Sequence, residues 1–242
     1  MSLLPISLGV RLASDADEKA GSSSRSKNLN ETVMRRDDYT CRFCGFRSLK
    51  FQRVVPCKAA GEPPFATACT FCEQCMALER TGISGAGQLI WLPEIPQQEL
   101  NHLVRAIYVA SEAPYPINEL SKRARDALTV RRSDAKKRLG SDDPMLLATI
   151  LRENLNNNER KGAADKLDGI RLMPGDKYIV HTAKGDANFF PQMVKFWLSS
   201  EGPYANMPTE KWPELFRAAL EAANAEDNAE EQENDGQEDV NA

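Results

Sequence analysis

Six cysteines carry the clearest chemical signal in the sequence, and all of them fall within a stretch of thirty-five residues. The first two, Cys41 and Cys44, are separated by two residues and followed by Gly45, which can adopt the positive φ that folds the backbone beneath a metal ion. Two thiolates at this spacing can reach the same ion. Disulfides are not expected in a reducing compartment, so the clustering favours a metal. We therefore predict one structural Zn²⁺ ion.

The remaining ligands come from three closely spaced cysteines, Cys69, Cys72 and Cys75. If a helix begins near Cys72, then Cys69 in the preceding turn and Cys72 at the helix start are the natural ligands, and Cys75 lies one turn further on. The alternative set has Cys75 in place of Cys69, and Cys57 is the spare thiol. We favour the ligand set Cys41, Cys44, Cys69 and Cys72.

The patterning around the cysteines predicts an α+β fold in four parts. The chain opens with a short-strand pattern from Ile6, followed by a polar segment, Asp15–Asn30, that is typical of a solvated linker. Eight carboxylates and no Lys or Arg close the chain, and such a composition predicts disorder. The parts are an N-terminal strand and linker (1–31), a zinc module (32–87), a mostly α-helical domain (88–224) and an acidic tail (225–242).

Helical periodicity dominates the part that follows the cysteines. A strongly basic segment ends at Gly140 and predicts one long or two short helices, and Asp143-Pro144 is typical of a helix start. Residues Asp168–Val180 predict a β-hairpin around Pro174-Gly175-Asp176. In the last helix we expect Leu215 and Phe216 to face inward. The predicted helices lie near 100–110, 117–139, 144–155, 189–198 and 212–223.

Composition bounds the class of protein. The chain has 242 residues, of which 41% are hydrophobic and 27% charged, so it can bury a core. The chain has a net charge of −4, but its acidic tail alone carries −8, which leaves the rest of the chain at +4. No apolar run approaches the ~20 residues needed to cross a bilayer, and Met1–Ser14 does not match a signal peptide. We expect a cytosolic protein.

The cysteine module resembles the HNH endonuclease family, which has a ββα-metal fold of the treble-clef type. The resemblance rests on the segments Arg36–Gly45, Val54–Pro56 and Thr67–Cys72. In that family an Asp-His pair precedes the Val-Pro segment, and a His or Asn follows the last zinc cysteine. Here Gln52-Arg53 and Glu73 occupy those places. The resemblance thus implies a zinc scaffold that lacks the catalytic set.

Hydrolysis in such a nuclease requires an imidazole to deprotonate water and side chains to hold a divalent ion. Arg53 is permanently protonated and cannot act as a base. The histidines of the chain are His102 and His181, both outside the module, where we expect solvated or partly packed side chains. We therefore expect no enzymatic activity and assign no catalytic residue. The alternative is an active nuclease that uses an unusual set, Glu73 with Asp37 or Asp38.

Over a longer range the chain resembles the DotN/IcmJ family of type IVB (Dot/Icm-type) secretion and related conjugation systems. The residues that carry the likeness are the Arg-Asp-x-Tyr-x-Cys-x-x-Cys-Gly lead-in, Cys69–Cys75 with Gln74, and Gly169–Pro174. The resemblance implies a non-enzymatic adaptor in a coupling complex. Its partners would be the cytosolic C-terminal extension of a DotL-like coupling ATPase and other subunits. It would be cytoplasmic and attached peripherally to the inner membrane through them.

Nucleic-acid binding is the competing class. Ser121–Leu139 contains eight basic residues and two acidic ones, and five arginines lie near the cysteines. Together these basic side chains could form a surface that follows a phosphate backbone. We favour a solvated helix face or a docking patch for an acidic partner, which the acidic tail could mask. The aromatic residues that could anchor a partner, but that we expect mainly in the core, are Trp91, Phe189, Phe190, Trp197 and Trp212.

Overall fold

A computed structural model of the chain describes residues 3–10, 24–57, 59–153, 167–182, 185–218 and 221. The disorder predicted for residues 225–242 and the greater part of the predicted linker lie outside the described residues. Within them, the mixed α+β architecture expected from the sequence is confirmed.

The elements alternate in type along the chain. The first group comprises α1 (Ser24–Arg36), β1 (Gln52–Pro56), β2 (Phe65–Cys69), α2 (Thr70–Met76), α3 (Leu78–Ile83) and β3 (Gly87–Trp91). The second comprises α4 (Gln97–Ser111), α5 (Ile117–Val130), α6 (Arg132–Leu139), α7 (Pro144–Glu153), β4 (Ile170–Pro174), β5 (Ile179–Thr182), β6 (Gly185–Asn188) and α8 (Phe190–Trp197). A 3₁₀ turn, Thr209–Lys211, precedes a helical stretch at 212–218.

A hairpin that leads directly into a helix positions the second group of cysteines. Strands β1 and β2 are antiparallel, with Val54 opposite Thr67 and Gln52 opposite Cys69. Helix α2 starts at the residue after β2 ends. The sequence order strand, strand, helix therefore becomes one continuous structural unit with Cys69 at its corner.

The hairpin predicted at Asp168–Val180 is wrong. Both strands exist, but β4 pairs with β3, where Leu172 lies opposite Leu89, and β5 pairs with β6. The backbone N–H of Gly175 donates to the carbonyl of Ala86 (2.7 Å), which extends the β3–β4 pairing past Pro174. Pro174 is the last residue of β4 rather than part of a hairpin turn, and the strands on either side of Gly175-Asp176 belong to different sheets.

The helices predicted after the cysteines are confirmed within the described residues, which leave out 154–155, 219–220 and 222–223, and one expected orientation is wrong. The basic segment forms two helices, α5 and α6, and Gly140 ends α6 at a φ of +79°. Asp143 caps α7 through a hydrogen bond from the N–H of Met145 to its carboxylate (2.8 Å). In the 212–218 helix, Leu215 and Phe216 are 48% and 71% exposed, so the expectation that they face inward is wrong. No described element covers that face.

The N-terminal part differs from the prediction in two ways. Residues 3–10 are extended and pack on the body as expected, but they join no sheet. Leu4 is buried and its N–H donates to the carbonyl of Arg42 (2.7 Å), while the N–H of Gly9 donates to the carbonyl of Cys75 (3.0 Å). Helix α1 begins at Ser24, so the linker prediction is wrong for its last residues. Packing of Val33 against the body outweighs the weak helical propensity of this polar segment.

Aromatic side chains join the cysteine-bearing elements to the helices in one core. Phe71 of α2 meets Trp197 of α8 edge to face at 5.9 Å, and Tyr108 of α4 meets Phe190 at 4.7 Å. Phe190 and Trp197 are buried, as expected of core residues. The other candidate anchors are partly buried, namely Trp91, Phe189 and Trp212. Among the described helices, none has the length and apolar character to cross a membrane.

A buried carboxylate fastens the end of α1 to the β1–β2 hairpin. Asp37 accepts hydrogen bonds from Nε of Arg36 (2.8 Å) and from the backbone N–H of Thr67 (2.8 Å). Arg36 also donates to the carbonyl of Phe65 (2.7 Å). Burial alone would raise the pKa of Asp37, but the hydrogen bonds from Arg36 and Thr67 outweigh it and hold the pKa below its usual value.

We expect Asp37→Asn to lower the free energy of unfolding by about 2 kcal/mol at pH 7, because hydrogen bonds to charged groups contribute roughly 1.5–3 kcal/mol. The folded-state pKa of Asp37 is depressed, so its stabilisation is present above the unfolded pKa of about 3.9 and is lost as pH falls through the folded value. The difference between wild type and variant should therefore shrink in acid. Urea unfolding between pH 7 and pH 3 measures it.

Asp38→Asn is the matched control, since the exposed Asp38 side chain pairs with Arg47 at the surface and should contribute little. An Asp37→Asn deficit that is unchanged down to pH 3 would contradict the assigned role of the charge.

Candidate metal centre

Four buried sulfur atoms lie together at the corner between the hairpin and α2. The Sγ atoms of Cys41, Cys44, Cys69 and Cys72 are all within 4.8 Å of one another. The Cys44 and Cys69 sulfurs are 3.7 Å apart. A tetrahedron with Zn–S bonds of about 2.3 Å has edges of about 3.8 Å, so this spacing fits one tetrahedral ion. The cluster can therefore hold a metal ion without a large rearrangement.

A tight turn presents the first two sulfurs. The N–H of Gly45 donates to the carbonyl of Cys41 (2.9 Å), and the N–H of Cys41 donates to the carbonyl of Phe46 (2.9 Å). Gly45 has a φ of +76°, which a residue with a Cβ adopts only with strain. The glycine of the Cys-x-x-Cys-Gly sequence thus has the backbone role that was predicted for it.

The start of α2 presents the other two sulfurs. Cys69 is the N-cap residue, with extended backbone angles, and its Sγ accepts a hydrogen bond from the N–H of Cys72 (3.5 Å). Cys72 lies in the first helical turn. Cys69 therefore ends β2, caps α2 and contributes a sulfur to the cluster.

The other two cysteines lie outside the four-sulfur cluster. Cys75 is fully buried one turn further along α2, and its Sγ donates to the carbonyl of Phe71 (3.2 Å). Cys57 follows β1 and is partly exposed. The structure thus groups the four cysteines of the favoured ligand set, while metal ligation by them stays a prediction.

Helix α4 lays a row of polar side chains against this cluster. Asn101 donates from Nδ2 to the sulfur of Cys72 (3.3 Å), and Arg105 donates from Nη2 to the sulfur of Cys69 (3.3 Å). Gln97 donates to Oδ1 of Asn101 (3.0 Å), which leaves the Asn101 amino group facing the sulfur. Both sulfurs at the start of α2 therefore receive an N–H donor from α4.

His102 lies at the edge of the cluster, although its place in the sequence suggested no link to it. Its Nε2 is 2.6 Å from the carbonyl oxygen of Cys44, and its Nδ1 is 3.2 Å from Nη1 of Arg105. Because a carbonyl only accepts, Nε2 carries the proton and Nδ1 accepts from Arg105. Contact with Cys44 raises the pKa of His102, against the opposing effect of burial.

Arg105 is a buried cation whose surroundings are aromatic and sulfur-rich. Arg105 is only 1% exposed, and its guanidinium lies 3.7 Å from the centre of the Phe46 ring. Among the described residues, no carboxylate forms an ion pair with it. Burial would lower the pKa of Arg105, but negative charge on Cys69 and Cys44 more than offsets this. Arg105 thus contacts the sulfur cluster through Cys69 and forms no ion pair with a described carboxylate.

The thiols of the cluster cannot all ionise without a cation among them. Burial raises the pKa of Cys41 and of Cys72 well above the usual value. Hydrogen bonds from the neighbouring cysteines lower the pKa of Cys44 instead. These opposite shifts in pKa arise because four ionisable thiols share one buried site. A divalent ion at the centre would remove this competition, because all four ligands could then be thiolates.

Residues at the places of the missing nuclease groups have structural partners. Gln52 is buried and donates from Nε2 to the carbonyls of Tyr39 and Phe46, both at 3.0 Å, which braces the cysteine turn. Arg53 lies over the ring of Tyr178 (5.2 Å). Glu73 is buried and forms an ion pair with Arg80.

Sequence reasoning missed the α4 row, although the sequence contained a signal for it. Gln97, Asn101 and Arg105 are spaced four residues apart and lie beside the apolar stripe that includes Leu100 and Val104. Polar residues at such spacing on the buried face of a helix need partners inside the protein. What the spacing could not identify was the partner, because the sulfurs lie about thirty residues earlier in the chain.

Comparison with known proteins gives one informative relative. The chain is 30% identical over 161 residues to type 4 apparatus protein DotN of Legionella pneumophila (strain Philadelphia 1). The similar region covers 62% of this chain and 73% of that protein. No protein-family model matches the chain.

We expect Cys69→Ser to abolish stoichiometric metal binding and to unfold the region around the cluster, whereas Cys75→Ser should retain both metal and fold. Serine is itself a good N-cap residue, so Cys69→Ser keeps the cap of α2 and removes only the thiolate. Binding energy of a structural metal is folding energy, which explains the expected loss of structure. Elemental analysis and circular dichroism of freshly purified protein provide the measurement. Equal metal content in the two variants would refute the proposed ligand set.

Proposed function

Because the chain belongs to the DotN family of type IV secretion apparatus proteins, we propose that it is a non-enzymatic, zinc-stabilised adaptor of a Dot/Icm-type secretion or conjugation coupling complex. The partner proposed for it is the cytosolic C-terminal extension of the DotL-like coupling ATPase, together with other subunits. Through these partners the protein would sit in the cytoplasm, peripheral to the inner membrane. Similarity to the relative across most of that protein carries the proposal.

A structural Zn²⁺ ion in a degenerate HNH-like module is the first component of the proposal. The β1–β2 hairpin followed by α2 gives the ββα order expected for such a module. Four sulfur donors without an open position favour zinc in a closed, structural site. When bound, the ion would supply cross-linking of Cys41, Cys44, Cys69 and Cys72 rather than chemistry at a substrate.

The absence of enzymatic activity is the second component, and several contacts support it. His102 engages both ring nitrogens, one with the Cys44 carbonyl and one with Arg105, so neither is free to deprotonate water. Asp37 is committed to Arg36 and Thr67. The remaining carboxylates considered for an unusual nuclease set, Asp38 and Glu73, pair with Arg47 and Arg80.

A surface suited to a protein partner is the third component. A cleft of about 170 Å³ lies beside α6 and α7, with walls made largely of leucine and isoleucine side chains. Leu146 and Ile150 of α7 are 45% and 42% exposed there. Apolar clefts between helices commonly bind helical or extended peptide segments, which is what an ATPase extension would offer.

The basic helices α5 and α6 offer less to nucleic acid than their composition suggested. Most of their cations are already engaged within the protein. Arg132 and Lys136 pair with Asp142, Lys137 pairs with Asp134, and Arg138 lies over the ring of Trp91. These ion pairs lower the net positive charge that the helices present to a phosphate backbone. This supports the adaptor role over the alternative of nucleic-acid binding.

A tagged full-length chain, expressed in its native cells and purified from the membrane fraction, should recover a coupling ATPase by mass spectrometry. The Cys69→Ser variant should lose it, because the cluster that stiffens the scaffold is gone. The Cys75→Ser variant, altered on the same helix outside the cluster, should retain it. Recovery of folded, metal-loaded wild-type protein without an ATPase would refute the proposed partner.

We further expect no nicking of supercoiled plasmid by the metal-loaded protein in the presence of Mg²⁺ or Mn²⁺, since no described imidazole beside the cluster is free to act as a base. Gel electrophoresis at micromolar protein measures this, with an authentic metal-dependent nuclease as the positive control. Cleavage that co-purifies with the protein and disappears in Glu73→Gln would overturn the non-enzymatic assignment.

A further inference from the structure

We infer that Arg105 is the buried counter-charge of the metal–thiolate centre, and that α4 sets how tightly the metal is held through Arg105 and Asn101. The inference rests on the metal ligation proposed above and goes beyond it, because neither residue is a ligand. Arg105 and Asn101, which lie in the helical part of the chain, would thus position a metal centre whose ligands all come from the cysteine module.

Geometry places the guanidinium of Arg105 directly against the sulfur cluster. Its Nη2 donates to Cys69 Sγ at 3.3 Å and its Nη1 donates to His102. The rings of Phe46, Phe71 and Trp197 surround the guanidinium at 3.7, 5.3 and 5.7 Å. Its Nε is buried without a hydrogen-bond partner in the described part of the chain. Within the described ranges no carboxylate forms an ion pair with Arg105, which leaves the sulfur of Cys69 as its hydrogen-bonded candidate counter-charge.

Charge arithmetic makes the arrangement consistent only with an anionic cluster. Four thiolates around one divalent ion carry a net charge of −2, which is costly to bury in an apolar core. A guanidinium against one sulfur and the Asn101 amide against another reduce that cost by charge and by hydrogen bonding. Neutral thiols would leave the Arg105 charge uncompensated instead. Arginine suits the site because its weakly hydrated, planar cation tolerates aromatic surroundings.

The same contacts tie the centre to the sheet outside the module. Gln97 pairs with both backbone groups of Leu172 in β4, donating to its carbonyl and accepting from its N–H at 2.8 Å each. Gln97 also fixes Asn101, which donates to Cys72. A continuous set of hydrogen bonds therefore runs from the sulfur cluster through α4 to β4. Loss of the metal would destabilise α4, because the Arg105 cation would lose the anionic cluster as its partner.

The test is Arg105→Met, which keeps most of the apolar stem and removes the charge. We expect its affinity for Zn²⁺, measured by competition with a chromogenic chelator, to fall 10- to 100-fold, the usual effect of removing a group that supports metal ligands. We also expect a reversal of sign in thermal unfolding. The variant should melt below wild type when zinc is bound, and at or above wild type after the metal is stripped.

Two further variants separate charge from packing. Val104→Ala removes buried apolar atoms from the same helix, so it should lower the melting temperature with and without metal. Arg105→Lys restores the charge without the planar fork, so its zinc affinity should lie closer to wild type than that of Arg105→Met. Equal stability losses for Arg105→Met in both metal states, or zinc affinity equal to wild type, would overturn the inference.

Cobalt substitution keeps the test decisive if the metal-free chain does not fold. Removing a cation and a hydrogen bond from a thiolate raises the energy of its electrons, so the sulfur-to-cobalt charge-transfer band should move to longer wavelength in Arg105→Met and stay in place in Val104→Ala. An unshifted band in Arg105→Met would overturn the inference. A wild-type chain that folds and binds neither zinc nor cobalt would instead overturn the metal site of the proposed function.

Discussion

Charge balance around four buried sulfur atoms is the constraint on which the rest of the structure depends. The sulfurs lie within 4.8 Å of one another, and in water-excluded surroundings they could not all carry charge unaided. The metal ion proposed for their centre would balance this charge, together with the guanidinium of Arg105 at their edge. The turn at Cys41, the N-cap at Cys69 and the polar row of α4 are each understandable as parts of that solution.

Groups that could do chemistry in this region are instead used for structure. Gln52 braces the cysteine turn through two carbonyls, Asp37 fastens α1 to the hairpin, and Glu73 is held by Arg80. Each of these contacts fixes a polar side chain within the fold. Such fixed side chains are consistent with the structural role proposed for this region.

Local features of this chain were predictable from the sequence, and contacts between distant segments were not. The Cys-x-x-Cys-Gly turn, the cap at Asp143 and the end of α6 at Gly140 depend on a few neighbouring residues, and the sequence alone was sufficient to predict them. The pairing of β4 with β3 joins segments some eighty residues apart, and no pattern within Asp168–Val180 could have indicated it. For Leu215 and Phe216, periodicity identified a helix but could not show whether anything packs against it.

The same distinction applies to the candidate metal centre. Spacing was enough to favour the four cysteines that the structure groups together, because a helix start near Cys72 orients Cys69 and Cys72 alike. The contributions of Asn101, His102 and Arg105 depend on how α4 docks, which is a property of tertiary packing. For Asn101 and Arg105 the sequence signal was their four-residue spacing beside the apolar stripe of α4, and it identified no partner.

The extended segment 3–10 has a consequence for the order of events during synthesis. Its hydrogen-bond partners are Arg42, Cys75 and Leu78, all made later than the segment itself. At about 5–20 residues per second on the ribosome, several seconds separate its emergence from that of its docking site. During that interval Leu4, which is buried in the finished fold, stays in contact with solvent or with chaperones. Segment 3–10 can therefore dock only after the chain has been made as far as Leu78.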